Sequence, residues 1–297
     1  MTPFVVGAYA AIPADRAGAE TFYAALPASV SGIEIPYRDA LDADPAWLAT
    51  QVARFTDSVV TLIPGTMGRI AADPAFGLAS ADADGRADAL ASVREALAAI
   101  EQLHADAGAA VVRWVHVHSA PTDRADADAF ARSLAELAPL FESAGLGLVV
   151  EHCDAASGVG PGEKRFLALA DEVAAASAVG ARVTVNWGRS VVETHDPDTA
   201  RQHIAALVEA GCLGGVMFSG AGPDATQYGP VWGDAHLPLS VDEPTSLMTP
   251  AHVAACLAAA SGRELYRGAK VQVPATASVP ERIAMIGRVR AAMMAAA

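Results

Sequence analysis

Short apolar runs recur along the chain at fairly even intervals, and most of them precede a segment with helical periodicity. Nearly continuous Val, Ile and Leu content is typical of strands that are buried on both faces, as in parallel sheets. Each run ends in small or polar residues. We therefore predict eight parallel strands, which cover Phe4 to Ala10, Gly32 to Tyr37, Ser58 to Pro64, Val111 to Ser119, Gly147 to Asp154, Arg182 to Gly188, Gly214 to Ser219 and Gly268 to Pro274.

The segments between these runs carry helix signals. Asp196-Pro197 and Thr249-Pro250 each place a capping side chain before a proline, which is typical of a helix start. Ser278 and Glu281 have the spacing of a capping box, which predicts the last helix. Apolar stripes at helical spacing predict two further helices, along Leu90, Val93, Leu97, Ile100 and Leu103 and along Phe130, Leu134, Leu137 and Phe141.

This alternation of strands and helices predicts one (β/α)8 TIM barrel that forms a single domain over residues 1–297. An open doubly wound sheet is the alternative, but it would normally carry a phosphate-binding glycine turn, and the sequence has neither a dinucleotide fingerprint nor a P-loop. Two connections, Gly65 to Ser80 and Gly220 to Asp242, are long and show no periodicity. Both follow predicted strands, so we expect functional loops on one face of the barrel.

Composition limits the partners. The chain has 20 basic and 34 acidic residues and a formal charge of −14, which disfavours nucleic acid and anionic membrane surfaces. Its amino terminus lacks the features of a secretory signal, and no apolar run reaches the roughly 18 residues of a membrane helix. Cys153, Cys212 and Cys256 show no paired spacing. We expect a cytoplasmic protein without disulfides, and a homo-oligomer is compatible with the sequence.

Polar residues at the predicted strand ends would meet at the barrel mouth. They include Glu34, His116, His118, Glu151, His152, Asp154, Asn186, Arg189, Ser219, Lys270 and Gln272. Glu151 directly follows an apolar run, and a buried carboxylate is costly unless it is paired, bound to metal or used in chemistry. A catalytic role for Glu151 is therefore predicted, although a structural ion pair with Arg189 or Lys270 would satisfy the same rule. His118 lies nearer the mouth than His116, for which we expect a hydrogen-bonded core position.

The second long loop carries Asp234-Ala235-His236 close to Tyr228 and Trp232. An acid, an imidazole and aromatic rings suit a substrate lid or a pair of metal ligands, and exposed residues without a role remain an equal alternative. Glu34 could bind a hydroxyl-rich ligand or brace neighbouring strands. Lys270 could act as an electrophile or only as a charge partner.

Four segments resemble strand ends of the xylose-isomerase-like barrel superfamily, which includes sugar isomerases, epimerases and family 2 apurinic endonucleases. They are Gly32-Ile33-Glu34-Ile35, Val117-His118-Ser119, Val149-Val150-Glu151-His152 and Gly268-Ala269-Lys270-Val271-Gln272. The similarity follows the strand order over nearly the whole chain and is greatest to a branch without an assigned activity. It implies a TIM barrel that acts on a carbohydrate, whereas the acidic charge and missing ligands disfavour DNA repair.

Metal-dependent members of this superfamily usually bind a divalent ion through a Glu, an Asp, a His and a Glu on the fifth to eighth strands. Carried over by position, Glu151 matches, but the other three places hold Asn186, Ser219 and Gln272. Arg189 occupies the place of a histidine that often follows the sixth-strand ligand. The resemblance therefore implies a degenerate metal site. A displaced set that is similar to the endonuclease ligands would hold any metal present, through His118, Glu151, Asp234 and His236.

The leading hypothesis is a sugar isomerase or epimerase in which Glu151 exchanges a proton next to a carbonyl while Arg189 or Lys270 stabilises the enolate. The predicted substrate-binding residues are Glu34, His118, Asn186, Ser219, Trp232, Asp234, His236 and Gln272. One alternative is a carbohydrate-binding barrel without catalysis. Another is a metal-dependent lyase or hydrolase that uses the displaced ligand set.

Overall fold

The computed structural model describes residues 2–295, and in it eight parallel strands form a closed barrel in sequence order. The predicted fold class is thus confirmed. Of the predicted domain range 1–297, Met1, Ala296 and Ala297 lie outside the described residues. The strands are β1 (Phe4–Val6), β2 (Gly32–Pro36), β3 (Ser58–Thr61), β4 (Val112–Val117), β5 (Gly147–His152), β6 (Arg182–Asn186), β7 (Leu213–Phe218) and β8 (Tyr266–Ala269).

Helices surround the barrel and cover the outer faces of its strands. They are α1 (Arg16–Ala25), α2 (Pro45–Val52), α3 (Ile63–Ala72), α4 (Ala83–Ala107), α5 (Ala127–Ala144), α6 (Leu169–Ala178), α7 (Trp187–Thr194), α8 (Thr199–Glu209), α9 (Pro250–Ala260) and α10 (Val279–Ala295). No helix among residues 2–295 combines the length and the apolar character that crossing a bilayer requires.

Two apolar layers hold the barrel together. The outer layer lies between strands and helices, and the predicted stripe on α5 contributes four side chains that are at most 1% exposed, namely Phe130, Leu134, Leu137 and Phe141. A smaller cluster includes Trp114 and Tyr266, whose rings lie 4.7 Å apart. Gly215 permits this packing, because a Cβ at that position would lie 2.3 Å from the Tyr266 ring.

Local signals located several helix ends correctly. Thr249 caps α9 by accepting from His252 N, and Ser278 N and Oγ donate to Glu281 Oε2 at the start of α10. The predicted start at Asp196-Pro197 is two residues too early. Asp196 Oδ1 accepts from the backbone N of Asp198 in a turn, and α8 begins only at Thr199.

Several boundaries near the barrel mouth differ from the prediction, and three of them affect the site. The connection from Gly65 to Ser80 is not an irregular loop, because α3 fills its first half and packs Ile63, Met67 and Ile70 on Cys153 and Phe166. Helix α7 begins directly after Asn186, so Arg189 lies in a helix and not at a strand end. Strand β8 begins two residues earlier than predicted and ends at Ala269, so that Lys270 and Gln272 follow it.

The long connection after β7 contains no helix, as predicted, and its backbone is fixed by hydrogen bonds across itself. Gly220 and Leu237 pair as an isolated bridge, and Leu247 N donates to Ala221 O. Trp232 and His236, on either side of Asp234, both adopt left-handed backbone conformations with φ of 53° and 48°. Non-glycine residues rarely adopt this conformation unless surrounding contacts impose it. The segment is therefore an ordered cover over one side of the mouth.

Candidate functional site

Glu151, the penultimate residue of β5, has a fully buried side chain that five neighbours contact, and one of them is His116, whose Nδ1 lies 3.6 Å from Oε2. Its Oε2 accepts from Thr61 Oγ1 at 3.1 Å and from His118 Nε2 at 2.9 Å. Its Oε1 lies 2.9 Å from Arg189 Nη1 and 4.0 Å from Lys270 Nζ. Burial raises the pKa of this carboxyl, but Arg189, Lys270 and the contacts with His116 and His118 together hold it well below its usual range. Glu151 is thus a charged carboxylate with a hydrogen-bond donor or a cation next to each of its oxygens.

Arg189 joins this carboxylate to the loop after β7. While Nη1 contacts Glu151, Nε donates to Asp234 Oδ2 at 3.1 Å, and Nη1 also donates to Cys153 Sγ at 3.2 Å. The side chain is 1% exposed. A buried guanidinium keeps its charge and needs several acceptors, and these two carboxylates supply them. Helix α7 therefore positions the cation that the sequence places opposite Glu151.

Asp234 and His236 lie next to each other at the mouth. His236 Nδ1 lies 3.2 Å from Asp234 Oδ1 and 2.8 Å from Ser219 Oγ at the end of β7. A residue that sequence reasoning missed, Lys164, places its Nζ 3.4 Å from Asp234 Oδ2. Burial raises the pKa of Asp234, but Arg189, His236 and Lys164 together bring it well below the usual value. Asp234, His236, Lys164 and Arg189 thus form one charge network in this part of the mouth.

Lys270 pairs mainly with Glu34 and only secondarily with Glu151. Its Nζ donates to Glu34 Oε1 at 2.7 Å, and both side chains are fully buried. Burial lowers the pKa of Lys270, but Glu34, Tyr9 and Glu151 together raise it by more, so the group stays an ammonium. Tyr9, which sequence reasoning also missed, donates its hydroxyl to the same Glu34 oxygen at 3.3 Å. Glu34 Oε2 has no hydrogen-bond partner among the described residues.

A cavity of about 300 Å³ opens beside Tyr9 and Glu34. Trp47, Asp15 and Arg16 contribute to its walls, and the Arg16 guanidinium lies 4.5 Å from the centre of the Trp47 ring. This volume is at the lower end of the range for small-molecule sites, and the walls combine aromatic and charged groups. The cavity gives a small polar ligand a place next to the Glu34 carboxylate.

The remaining predicted residues have diverse positions. Asn186 is fully buried, and neither side-chain polar atom has a partner within residues 2–295. Gln272 Nε2 donates to the carbonyls of Tyr228 and Ala235 and so anchors the β7 loop. Trp232 stacks on His195, with ring centres 3.9 Å apart, and is not part of the charge network. No sequence signal pointed to Tyr9 or Lys164, because their roles depend on contacts between distant segments.

The usual four-ligand metal site does not fit the side chains present. Of its positions only Glu151 is a carboxylate, and Arg189 and Lys270 already contact that group. Ser219 hydrogen-bonds to His236, and the Gln272 amide is held by backbone carbonyls. Two fixed positive charges next to one carboxylate oppose a hard divalent cation. In this arrangement the positive charge next to Glu151 comes from the protein side chains Arg189 and Lys270.

The displaced ligand set divides into two pairs. His118 contacts Glu151, and His236 contacts Asp234, but the Arg189 guanidinium lies between the two pairs and bonds to both carboxylates. Over the described range 2–295, no group of metal-ligating side chains within reach of one ion includes these residues. The four residues do not fit a common ion in this arrangement.

Comparison with known proteins assigns the chain to a family. The family described as "domain of unknown function (DUF4862)" matches residues 5–285. The uncharacterized protein STM3670 of Salmonella typhimurium (strain LT2) is 33% identical over 296 residues, which cover 95% of this chain and 94% of that protein.

Three solved structures are similar over nearly their whole length. A D-psicose 3-epimerase crystallised in the presence of D-fructose has a TM-score of 0.62 at 14% identity, with 99% of each chain covered. A family 2 AP endonuclease from Brucella melitensis has a TM-score of 0.61 at 16% identity, covering 97% of this chain and 99% of the other. A xylose isomerase domain containing protein from Salmonella typhimurium LT2 has a TM-score of 0.60 at 12% identity, covering 99% and 97%. The fold is that of the xylose-isomerase-like barrels, and the chain belongs to the DUF4862 family.

Proposed function

We propose that this protein is a sugar isomerase or epimerase that moves a proton next to a carbonyl and uses Lys270 in place of a divalent metal. One observation carries the proposal. Lys270 Nζ lies 2.7 Å from Glu34 and 4.0 Å from Glu151, so one buried ammonium stands between two carboxylates. The fold it shares with a D-psicose 3-epimerase is compatible with this chemistry.

The chemistry requires a base and a nearby positive charge. Removing a proton from the carbon next to a carbonyl gives an enolate, whose oxygen a preorganised ammonium stabilises. The proton then returns to the neighbouring carbon in an isomerisation, or to the opposite face of the same carbon in an epimerisation. Lys270 supplies the charge, and a carboxylate that contacts it supplies the proton transfer.

Glu34 is better placed than Glu151 to act as the base. Glu151 Oε2 accepts two hydrogen bonds, and Oε1, which forms no hydrogen bond within residues 2–295, lies 2.9 Å from Arg189 Nη1. Glu34 Oε2 also has no hydrogen-bond partner among the described residues, and Glu34 borders the cavity. A carboxylate with a free oxygen beside a ligand cavity can reach a substrate proton without first breaking an ion pair. We therefore assign proton abstraction to Glu34 and a charge-balancing role beside Lys270 to Glu151.

Proton exchange in D2O tests this directly. A panel of aldoses and ketoses is incubated with EDTA-treated protein, and NMR measures deuterium incorporation at the carbon next to the carbonyl. Wild-type protein should exchange at least one sugar without added metal, and Glu34→Gln and the charge-neutral double variant Glu34→Gln/Lys270→Met should lose about 10²–10⁴-fold in rate. Glu142→Gln, which changes an exposed carboxylate of α5 outside the cavity, is the matched control and should keep the wild-type rate.

Two results would contradict the assignment. If Glu151→Gln removes exchange and Glu34→Gln does not, the base is Glu151. If no sugar exchanges although one raises the unfolding temperature, the protein is a carbohydrate-binding barrel. The second candidate is favoured by the complete burial of Glu151 and Arg189 and by the mutual neutralisation of their charges.

A further inference from the structure

Three potential metal ligands meet outside the barrel mouth. His152 follows Glu151 on β5, so its side chain points to the opposite face of the strand, toward the helical layer. There it meets Glu193 from α7 and His203 from α8, and one ligand atom from each residue lies within 4.8 Å of those of the other two. The distance from His152 Nε2 to Glu193 Oε2 is 3.1 Å.

We propose that His152, Glu193 and His203 form a site for a borderline divalent ion such as Zn²⁺, separate from the barrel mouth. Two imidazoles and one carboxylate are a donor set that zinc accepts, and a fourth position remains for water. Ligand atoms around a tetrahedral zinc lie roughly 3.4 Å apart, given metal–ligand distances near 2.1 Å. His152 Nε2 and Glu193 Oε2 are already at about this spacing, and the distances to the ligand atom of His203, which are at most 4.8 Å, need to contract by up to about 1.4 Å.

Both imidazoles are already oriented for ligation through Nε2. His152 Nδ1 donates to Glu172 Oε2 at 2.7 Å, and His203 Nδ1 lies 3.0 Å from Ser190 Oγ. Such contacts at the second ring nitrogen fix the ring and the tautomer in metal sites. No hydrogen bond to His203 Nε2 is formed by any residue from 2 to 295. That nitrogen is therefore available to an ion.

Charge and access support the same site. Glu172 and Glu193 bring two negative charges to two imidazoles, which balances one divalent cation. His152 and Glu172 are fully buried, but Glu193 and His203 are partly exposed, which gives an ion a route from solvent. Soft and borderline ions are expected over Mg²⁺ or Ca²⁺, since those prefer all-oxygen shells. Glu193 also lies on the helix that carries Arg189, so an ion would fix α7 to the barrel.

Metal titration of the full-length protein tests the site. After EDTA treatment and dialysis, Zn²⁺ binding is measured by calorimetry and Co²⁺ binding by visible absorption. Wild-type protein should bind one equivalent of each at this site, with the Co²⁺ bands of a low-coordinate complex and a raised unfolding temperature. Glu193→Gln and His203→Gln should weaken binding at least about tenfold, and Ser190→Ala by about tenfold, because it removes only the contact that orients His203.

Two controls separate this site from others. His195→Gln changes a neighbouring histidine outside the cluster, and the double variant Asp234→Asn/His236→Gln removes the ligands of a displaced mouth site. Both should keep wild-type affinity. Circular dichroism of the metal-free variants confirms that each is folded before titration. Absence of stoichiometric binding by folded wild-type protein would overturn the proposal, since a proton on His152 would then account for its contacts. Equal affinity in Glu193→Gln, His203→Gln and wild type would also overturn it.

Discussion

Arg189 and Glu151 form an ion pair in which both side chains are buried, with 2.9 Å between Nη1 and Oε1. The same guanidinium binds Asp234, so that one residue of α7 holds two carboxylates that come from β5 and from the β7 loop. Charges removed from water remain stable only while their partners are present. The network around Arg189 therefore connects the barrel mouth to the stability of the fold.

Replacing Arg189 by Met should destabilise the protein by about 3–5 kcal/mol, because two buried carboxylates lose their cation. Urea unfolding at pH 7 measures the change. Arg113→Gln is the control, since its ion pair with Asp57 is at the surface and should contribute less than about 1 kcal/mol. A loss of similar size in both variants would mean that the buried network adds nothing beyond a surface pair.

Acid should destabilise the protein partly through His118. Burial lowers the pKa of His118 to about 4, and the opposing contact with Glu151 does not restore it. The unfolded chain therefore takes up this proton near pH 6.5, before the folded protein does, and stability that is complete above pH 6.5 falls toward pH 4. The shift corresponds to a loss on the order of 3 kcal/mol.

Comparison of wild type with His118→Gln isolates this effect. Urea unfolding at pH 8 gives the intrinsic cost of the substitution, because position 118 is uncharged there in both states. Between pH 6.5 and pH 4 the variant should lose less stability than wild type. Parallel curves for the two proteins would show that His118 is not protonated on unfolding.

The three thiols should be unreactive in the native protein. Cys153, Cys212 and Cys256 are free and buried, and burial raises the pKa of Cys256 to about 12 and that of Cys153 further. A thiol reagent at pH 8 should label none of them within minutes and all three in guanidinium chloride, because the thiolate is the reacting form. Rapid labelling of one thiol in the native protein would contradict this burial.

Much of the fold follows from local patterns. Burial can be inferred directly from a strand run of Val, Ile and Leu or from a helical stripe such as that of α5. The eight strands and the barrel were therefore predictable. Helix α3 was missed because Gly65 and Gly68 lower the helix propensity of the segment, although Ile63, Met67 and Ile70 keep helical spacing. The boundary of β8 was misplaced because Val271 and Val273 continue the apolar alternation past its end.

The sequence by itself determined the barrel and the polar residues at its mouth, because periodicity and strand order are local properties of the chain. The tertiary structure decided how those residues pair. Lys270 contacts Glu34, which lies 236 positions away in the sequence. Arg189 contacts Glu151 and Asp234 from helix α7, where the sequence pattern predicted a strand end. Electrostatic pairing depends on distances of a few ångströms, and barrel closure and the packing of α7 and the β7 loop set those distances.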